Sequence, residues 1–121
     1  MKRLIVICKA FDVVIVPFPF VDTVGSKLRP ALVLSTEQSN EAGYIVLAMI
    51  TSAKHSKKMH DITINHLGST GLTVSSIIRM KLFSLDSYII YKKIGILDKN
   101  DQKVFKKAFK ELFMDICRQS D

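Results

Sequence analysis

A small twisted sheet or partly open barrel of about seven short strands, closed by one C-terminal helix, is the fold this sequence predicts. Three observations predict it. Between residues 11 and 97, short runs rich in β-branched residues alternate with turn-forming clusters. Beyond residue 98 the apolar residues recur every three or four positions, the spacing of a helix face. The chain has 121 residues, 48% of them apolar, which fits one domain over 1–121 with one core and excludes a disordered or collagen-like chain.

The elements follow in order. Phe11–Val16 is a β-branched run that stops at Pro17-Phe18-Pro19-Phe20. Prolines two apart cannot both serve a central ladder, so the strand ends or reaches an edge there. A polar loop, Asp22–Lys27, leads through Arg29-Pro30 to a second strand, Ala31–Ser35. The turn Thr36–Gly43 precedes the strongest strand, Tyr44–Thr51, and a basic loop, Ser52–Lys58, follows it. His60–Ile64 alternates apolar and polar as a half-buried strand does. Gly68 and Gly71 mark a loop before Ser75–Lys81, Leu82–Leu85 and Lys93–Leu97. Asp98 suits an N-cap, with Asp101 in the first turn where a carboxylate complements the helix dipole. Val104, Phe105, Ala108, Phe109, Leu112, Phe113 and Ile116 form one broad apolar stripe on that helix.

Eighteen basic and eleven acidic residues leave a net charge of +7. Residues 51–100 hold most of it, with eight basic and three acidic groups. Such a surplus favours a polyanionic partner without identifying it. Cys8 and Cys117 read as two buried thiols of a reducing compartment, not a disulfide. No cysteine–histidine cluster has zinc spacing, so no metal site is expected. The apolar run Leu4–Cys8 is interrupted by Lys9 and Asp12, and nothing approaches the roughly 20 apolar residues of a bilayer span. A cytoplasmic chain without a membrane partner is the expectation.

Few residues offer chemistry. Arg29 precedes Pro30, which disfavours the α region before it and holds the arginine extended at a strand lip. A guanidinium there presents a planar fork that matches phosphate, although the dipeptide alone is better read as a surface arginine. Thr51-Ser52 closes the longest strand and opens onto Lys54, His55, Lys57 and Lys58. Two hydroxyls beside three lysines suit a backbone phosphate, and equally suit a polar strand end in water. His55 is of the type that titrates near neutrality, but its position in a lysine-rich loop reads as a bystander's. Arg79 and Lys81 add cations near a strand end, and Phe18 and Phe20 offer either base stacking or core packing.

As an ordered series these residues resemble the MazF/PemK toxin family. The series is Phe11–Phe20, then Ser26–Ser35 with its Arg-Pro-Ala-Leu-Val-Leu-Ser core, then Ile50-Thr51-Ser52, then Lys81–Asp86 and the final amphipathic helix. The Arg-Pro segment after Pro-Phe-Pro-Phe is the specific part, and Lys27 and Leu28 depart from the Gly-rich stretch common there. The resemblance implies an SH3-like, partly open β-barrel, a homodimer, and the toxin of a type II toxin–antitoxin system. It implies a metal-independent, sequence-selective endoribonuclease for single-stranded RNA, inhibited by an acidic antitoxin, with no cofactor. Arg29 and Thr51 match the family's essential arginine and threonine, and Ser52, Lys54, Lys57, Lys58, Arg79 and Lys81 become the expected RNA contacts. Two alternatives share the fold: a gyrase-targeting toxin like CcdB, and a non-catalytic nucleic-acid-binding domain.

Overall fold

A computed structural model gives the fold and describes residues 6–18, 27–55 and 57–118. Among these, six strands form one antiparallel sheet: β1 (Asp12–Pro17), β2 (Leu28–Val33), β3 (Tyr44–Ser52), β4 (Ile62–Thr63), β5 (Ser76–Asp86) and β6 (Lys92–Ile96). Their order is β4-β5-β3-β2-β1-β6, so β3 and β2 lie at the centre. Three α-helices, α1 (Glu37–Glu41), α2 (Lys99–Leu112) and α3 (Met114–Arg118), and a short 3-10 turn at Ser87–Ile89 accompany them.

The central strands carry apolar residues at both parities because both faces of the sheet are covered. On one face Val14, Val16, Ala31, Val33 and Leu47 pack with Cys8, Phe18, Phe83 and Ile90. On the other, Val13, Leu32, Ala48, Ile50 and Ile78 pack beneath Leu97 and Phe105, which brings α2 down as a lid. Asp98 caps α2 by accepting the Asn100 N–H at 2.8 Å. Asp101 does more than face the helix dipole. Its buried carboxylate accepts the backbone N–H groups of Asn65 and His66 at 3.3 and 2.9 Å, tying the chain after β4 to the helix.

Six strands replace the expected seven for a physical reason. The runs 75–81 and 82–85 are one strand, β5, broken by a bulge. Adjacent β3 residues Ala48 and Met49 pair with Leu82 and Arg79, leaving Met80 and Lys81 unmatched. The two extra residues keep the side chains in step, Ile78, Met80 and Leu82 toward one core and Phe83 and Leu85 toward the other, and the charged Arg79 and Lys81 at the bulge read in sequence as a strand end. The turn at 36–43 contains α1, started by Thr36, whose hydroxyl accepts the Ser39 N–H at 3.2 Å.

The two free edges of the sheet meet through the loop between β4 and β5. Ile96 donates its N–H to the Ser69 carbonyl at 2.8 Å, and the Ser69 hydroxyl returns a bond of 2.8 Å to the Ile96 carbonyl. Backbones approach so closely here that a Cβ on Gly95 would lie 2.3 Å from the Ser69 oxygen. The sheet is thus a half-barrel whose open seam is closed by loop 68–72 and not by a further ladder. Of the two thiols, Cys8 is buried and Cys117 is exposed on α3, against the expectation that both are buried. Burial pushes the Cys8 thiol up to about 11, with the Asp12 carboxylate adding to the rise and Lys93 opposing it.

Candidate functional site

β2 and β3 pair with Ala31 opposite Met49, Leu32 opposite Ala48 and Val33 opposite Leu47. Two residues further along, the same register sets Arg29 opposite Thr51, and directly opposed residues of an antiparallel pair share one face. Both residues line a single cleft of about 330 Å³ at the end of the sheet, together with Ser52 and His55. Its far wall is the loop Gly71–Val74. Arg29 carries the one buried side-chain nitrogen or oxygen among the described residues without a hydrogen-bond partner, its Nε. Thr51 is 8% exposed, and its hydroxyl makes no hydrogen bond with any described residue. A buried donor left unpaired by the fold is the usual mark of a place where something else binds.

The expected cations divide into two groups. Lys54, Lys57 and Lys58 are exposed beyond β3. Lys58, Arg79 and Lys81 line a second cleft of about 380 Å³ with Met49, Met59 and Met80, where β5 bulges beside β3. Arg79 is committed there. Ile62 pairs with Ile78, and one step back along that register Asp61 stands opposite Arg79. The guanidinium donates to both Asp61 oxygens, Nε at 3.3 Å and a terminal nitrogen at 3.0 Å. The Lys58 N–H adds a bond of 2.7 Å to the same carboxylate. Burial alone would raise the Asp61 pKa. The hydrogen bonds from Arg79 and Lys58, with the charges of Arg79 and Lys57, outweigh it and hold the carboxyl below the usual range.

Phe18 is a core residue, 2% exposed and edge-on to Phe83 at 5.4 Å, so it is not a stacking platform. Phe20 and residues 21–26 of the loop before Arg29 lie outside the described residues. His66, Asp98 and Asp101 gather their ligand atoms within 4.8 Å of one another at the start of α2. The two carboxylates already accept the N–H groups of Asn65, His66 and Asn100, as a capping cluster does. No helix among the described residues is long and apolar enough to cross a membrane.

The family model for the PemK-like, MazF-like toxin of type II toxin–antitoxin systems matches residues 9–113. The chain belongs to this family. Solved structures share the fold of this MazF-like toxin. A MazF from Deinococcus radiodurans aligns with a TM-score of 0.69 at 21% identity, covering 90% of this chain and 98% of that one. The Mycobacterium tuberculosis toxin MazF-mt6 aligns at 0.67 and 17%, covering 85% and 96%. An endoribonuclease in complex with its cognate antitoxin, from Mycobacterial species, aligns at 0.68 and 11%, covering 89% and 94%. Comparison with curated proteins finds no match.

Two features of this MazF-like chain escape a reading of its sequence. Asp61 is eighteen residues from Arg79, and only the β4–β5 register joins them. Ser76 and the Gly71–Val74 loop reach the cleft because β5 begins beside Ser52. Gly71 was the available signal for a loop that approaches another backbone closely.

Proposed function

We propose that this toxin is a metal-independent, sequence-selective endoribonuclease that cuts single-stranded RNA. One observation carries the reading: the unpaired Arg29 donor and the unbonded Thr51 hydroxyl stand opposite each other in one cleft. RNA supplies its own nucleophile. The 2′-hydroxyl attacks the adjacent phosphorus, giving a 2′,3′-cyclic phosphate and a 5′-hydroxyl, and DNA is spared. The protein's task is to hold the linkage and stabilise charge on the phosphorane. Arg29 binds its non-bridging oxygens, Thr51 donates to the same phosphate, and Ser52 extends that contact. Lys54, Lys57, Lys58 and Lys81 hold the flanking backbone. Arg79, clamped by Asp61, shapes the sheet beside them and contributes to binding through position more than through charge.

The solved neighbour bound to its cognate antitoxin supports a matching partner for this chain. The net charge of +7 suits an acidic antitoxin segment laid across the RNA groove. The working form is a cytoplasmic homodimer. Purified protein incubated with a mixed RNA pool, followed by sequencing and chemical typing of the ends, tests the reading. Cyclic phosphate ends are expected, unchanged by EDTA, and a 2′-deoxy substitution at the cleaved position blocks the reaction. Continued cutting at that position overturns the mechanism. Salt-dependent binding without cut ends returns the protein to a non-catalytic RNA-binding module.

A further inference from the structure

We infer that His55 takes the proton from the attacking 2′-hydroxyl, an assignment that rests on the ribonuclease reading above. The step needs such a group. As the O2′–P bond forms, the O2′ proton must leave. As the P–O5′ bond breaks, the departing oxygen takes a proton from water. Arg29 cannot accept the first proton, because a guanidinium stays protonated in proteins. The hydroxyls of Thr51, Ser52, Thr73 and Ser76 are not bases at neutral pH.

His55 is the remaining candidate among the described residues of the cleft wall, where no described carboxylate rivals it as acceptor. Local structure explains how a loop residue comes to be there. β3 ends at Ser52, whose carbonyl accepts the His55 N–H at 3.2 Å. The Ser52 hydroxyl accepts the Lys54 N–H, also at 3.2 Å. These two bonds close a turn immediately beyond Thr51, and the turn returns His55 to the wall shared by Arg29 and Thr51. Among the described residues no ion pair or hydrogen bond occupies its ring nitrogens. Among the described residues, the charged groups of its loop and of the cleft wall are cations: Lys54 and Lys57 from its own loop and Arg29 from β2. The β4–β5 loop and β6 bring only uncharged residues to this cleft, such as Thr73 and Ile94.

The test uses single-stranded RNA containing the sequence that the wild-type protein cuts. His55→Ala and His55→Gln alter an exposed side chain, and circular dichroism verifies their fold. Both are expected to lower kcat by about 10²–10⁴ with KM nearly unchanged, the range for a positioned general base. The variants should also change the shape of the wild-type pH–rate profile. Added imidazole should restore part of the His55→Ala rate. A substrate with a 5′-thio leaving group, which departs without protonation, should show the same His55→Ala defect. A defect abolished by the thio substrate would make His55 a proton donor and overturn the assignment. Variants that cut at the wild-type rate with the wild-type pH profile overturn it too, while the ribonuclease reading stands. If the wild-type protein leaves RNA intact, the ribonuclease reading falls and this assignment with it.

Discussion

Arg29 and Arg79 flank the same central strand, β3, one across from Thr51 on the β2 side and the other across from Met49 on the β5 side. By local composition both are cations near a strand end beside apolar neighbours. In the fold they differ. Arg79 gives two hydrogen bonds to Asp61, a carboxylate whose side chain is fully buried. Arg29 keeps a buried Nε with no partner. Leaving a buried donor unpaired costs about 1–3 kcal/mol, so the fold bears a cost at one arginine that it avoids at the other. Charge count alone therefore does not locate a binding site; the state of each cation's donors does. Arg79 belongs to the scaffold and Arg29 to the chemistry.

The largest expected effect lies on the scaffold side. Asp61→Ala strips the carboxylate from a guanidinium that is only 15% exposed. Breaking such a pair costs about 3–5 kcal/mol where both charges are buried, and solvent at Arg79 places this case at the low end. Urea denaturation of the variant should show it as a lower midpoint. The pH dependence has a definite sign. Because Arg79 and Lys58 hold the Asp61 pKa below its ordinary value, the stabilisation is fully present above the unfolded carboxylate range near pH 4. It is lost as the pH falls through the lowered folded value. The stability gap between wild type and Asp61→Asn should therefore close on acidification below about pH 4. A gap that stays constant would remove the pair from the account.

Arg29→Ala should behave in the opposite way. It deletes an unsatisfied donor, so the folded state should be as stable as wild type or slightly more so. RNA cleavage should fall by about 10²–10³, the drop typical of removing one preorganised donor to a developing oxyanion. Arg29→Lys keeps the charge but not the planar fork, and should recover little. Cleavage assays paired with thermal melts separate the two arginines. If Arg29→Ala melts well below wild type, the contrast between them fails.

Much of this contrast was legible in the sequence, and the missing part has a physical cause. The strands at 12–17 and 44–52 announce themselves by β-branched runs ended by proline or hydroxyl residues, whereas β2 starts at Leu28, before the Ala31 start that the sequence suggests, and takes in Arg29 and Pro30. Once β2 and β3 pair, their register sets Arg29 opposite Thr51. The bulge at Met80 and Lys81 was not visible, because a two-residue insertion into one strand leaves the same trace as a strand end. Asp61 and Arg79 were read separately, since neither has a local partner and their meeting depends on the β4–β5 register. Phe18 was ambiguous for a different reason: a phenylalanine beside prolines suits a core or a platform, and Phe83 on a distant strand decides it.

The loop that closes the seam offers a third, smaller contrast. A Cβ on Gly71 would lie 2.2 Å from the Ile94 carbonyl oxygen, at a φ of +77° that L residues rarely adopt. A Cβ on Gly95 would meet Ser69 and Thr70 backbone at 2.3–2.5 Å. Gly68 has open space around it. Alanine at Gly71 or Gly95 should cost about 1–3 kcal/mol in overpacking, whereas Gly68→Ala should stay within about 0.5 kcal/mol. Gly71→Ala should also lower cleavage beyond its effect on folding, because residues 71–74 form the cleft wall facing Arg29. Equal melting temperatures for all three variants would show that loop 68–72 does not seal the barrel.

The smallest effects fall on the exposed lysines, and they sharpen the distinction between the arginines most directly. Lys54→Ala and Lys57→Ala remove solvated charges and should leave stability within about 0.5 kcal/mol. For each cation that neutralises a phosphate, its removal should flatten the dependence of log affinity on log salt by about 0.7 for single-stranded RNA. Arg79→Ala, measured at a temperature where the variant stays folded, should flatten it less than either lysine variant. Asp61 already neutralises that guanidinium, so fewer counterions are released when RNA arrives. Lys58 stands between these cases, since its backbone N–H serves Asp61 while its ammonium is exposed, and Lys58→Ala should behave like the lysine pair. An Arg79→Ala slope change as large as that of Lys54→Ala would mean that RNA takes the guanidinium from Asp61, and the division between scaffold and chemistry would have to be redrawn along β5.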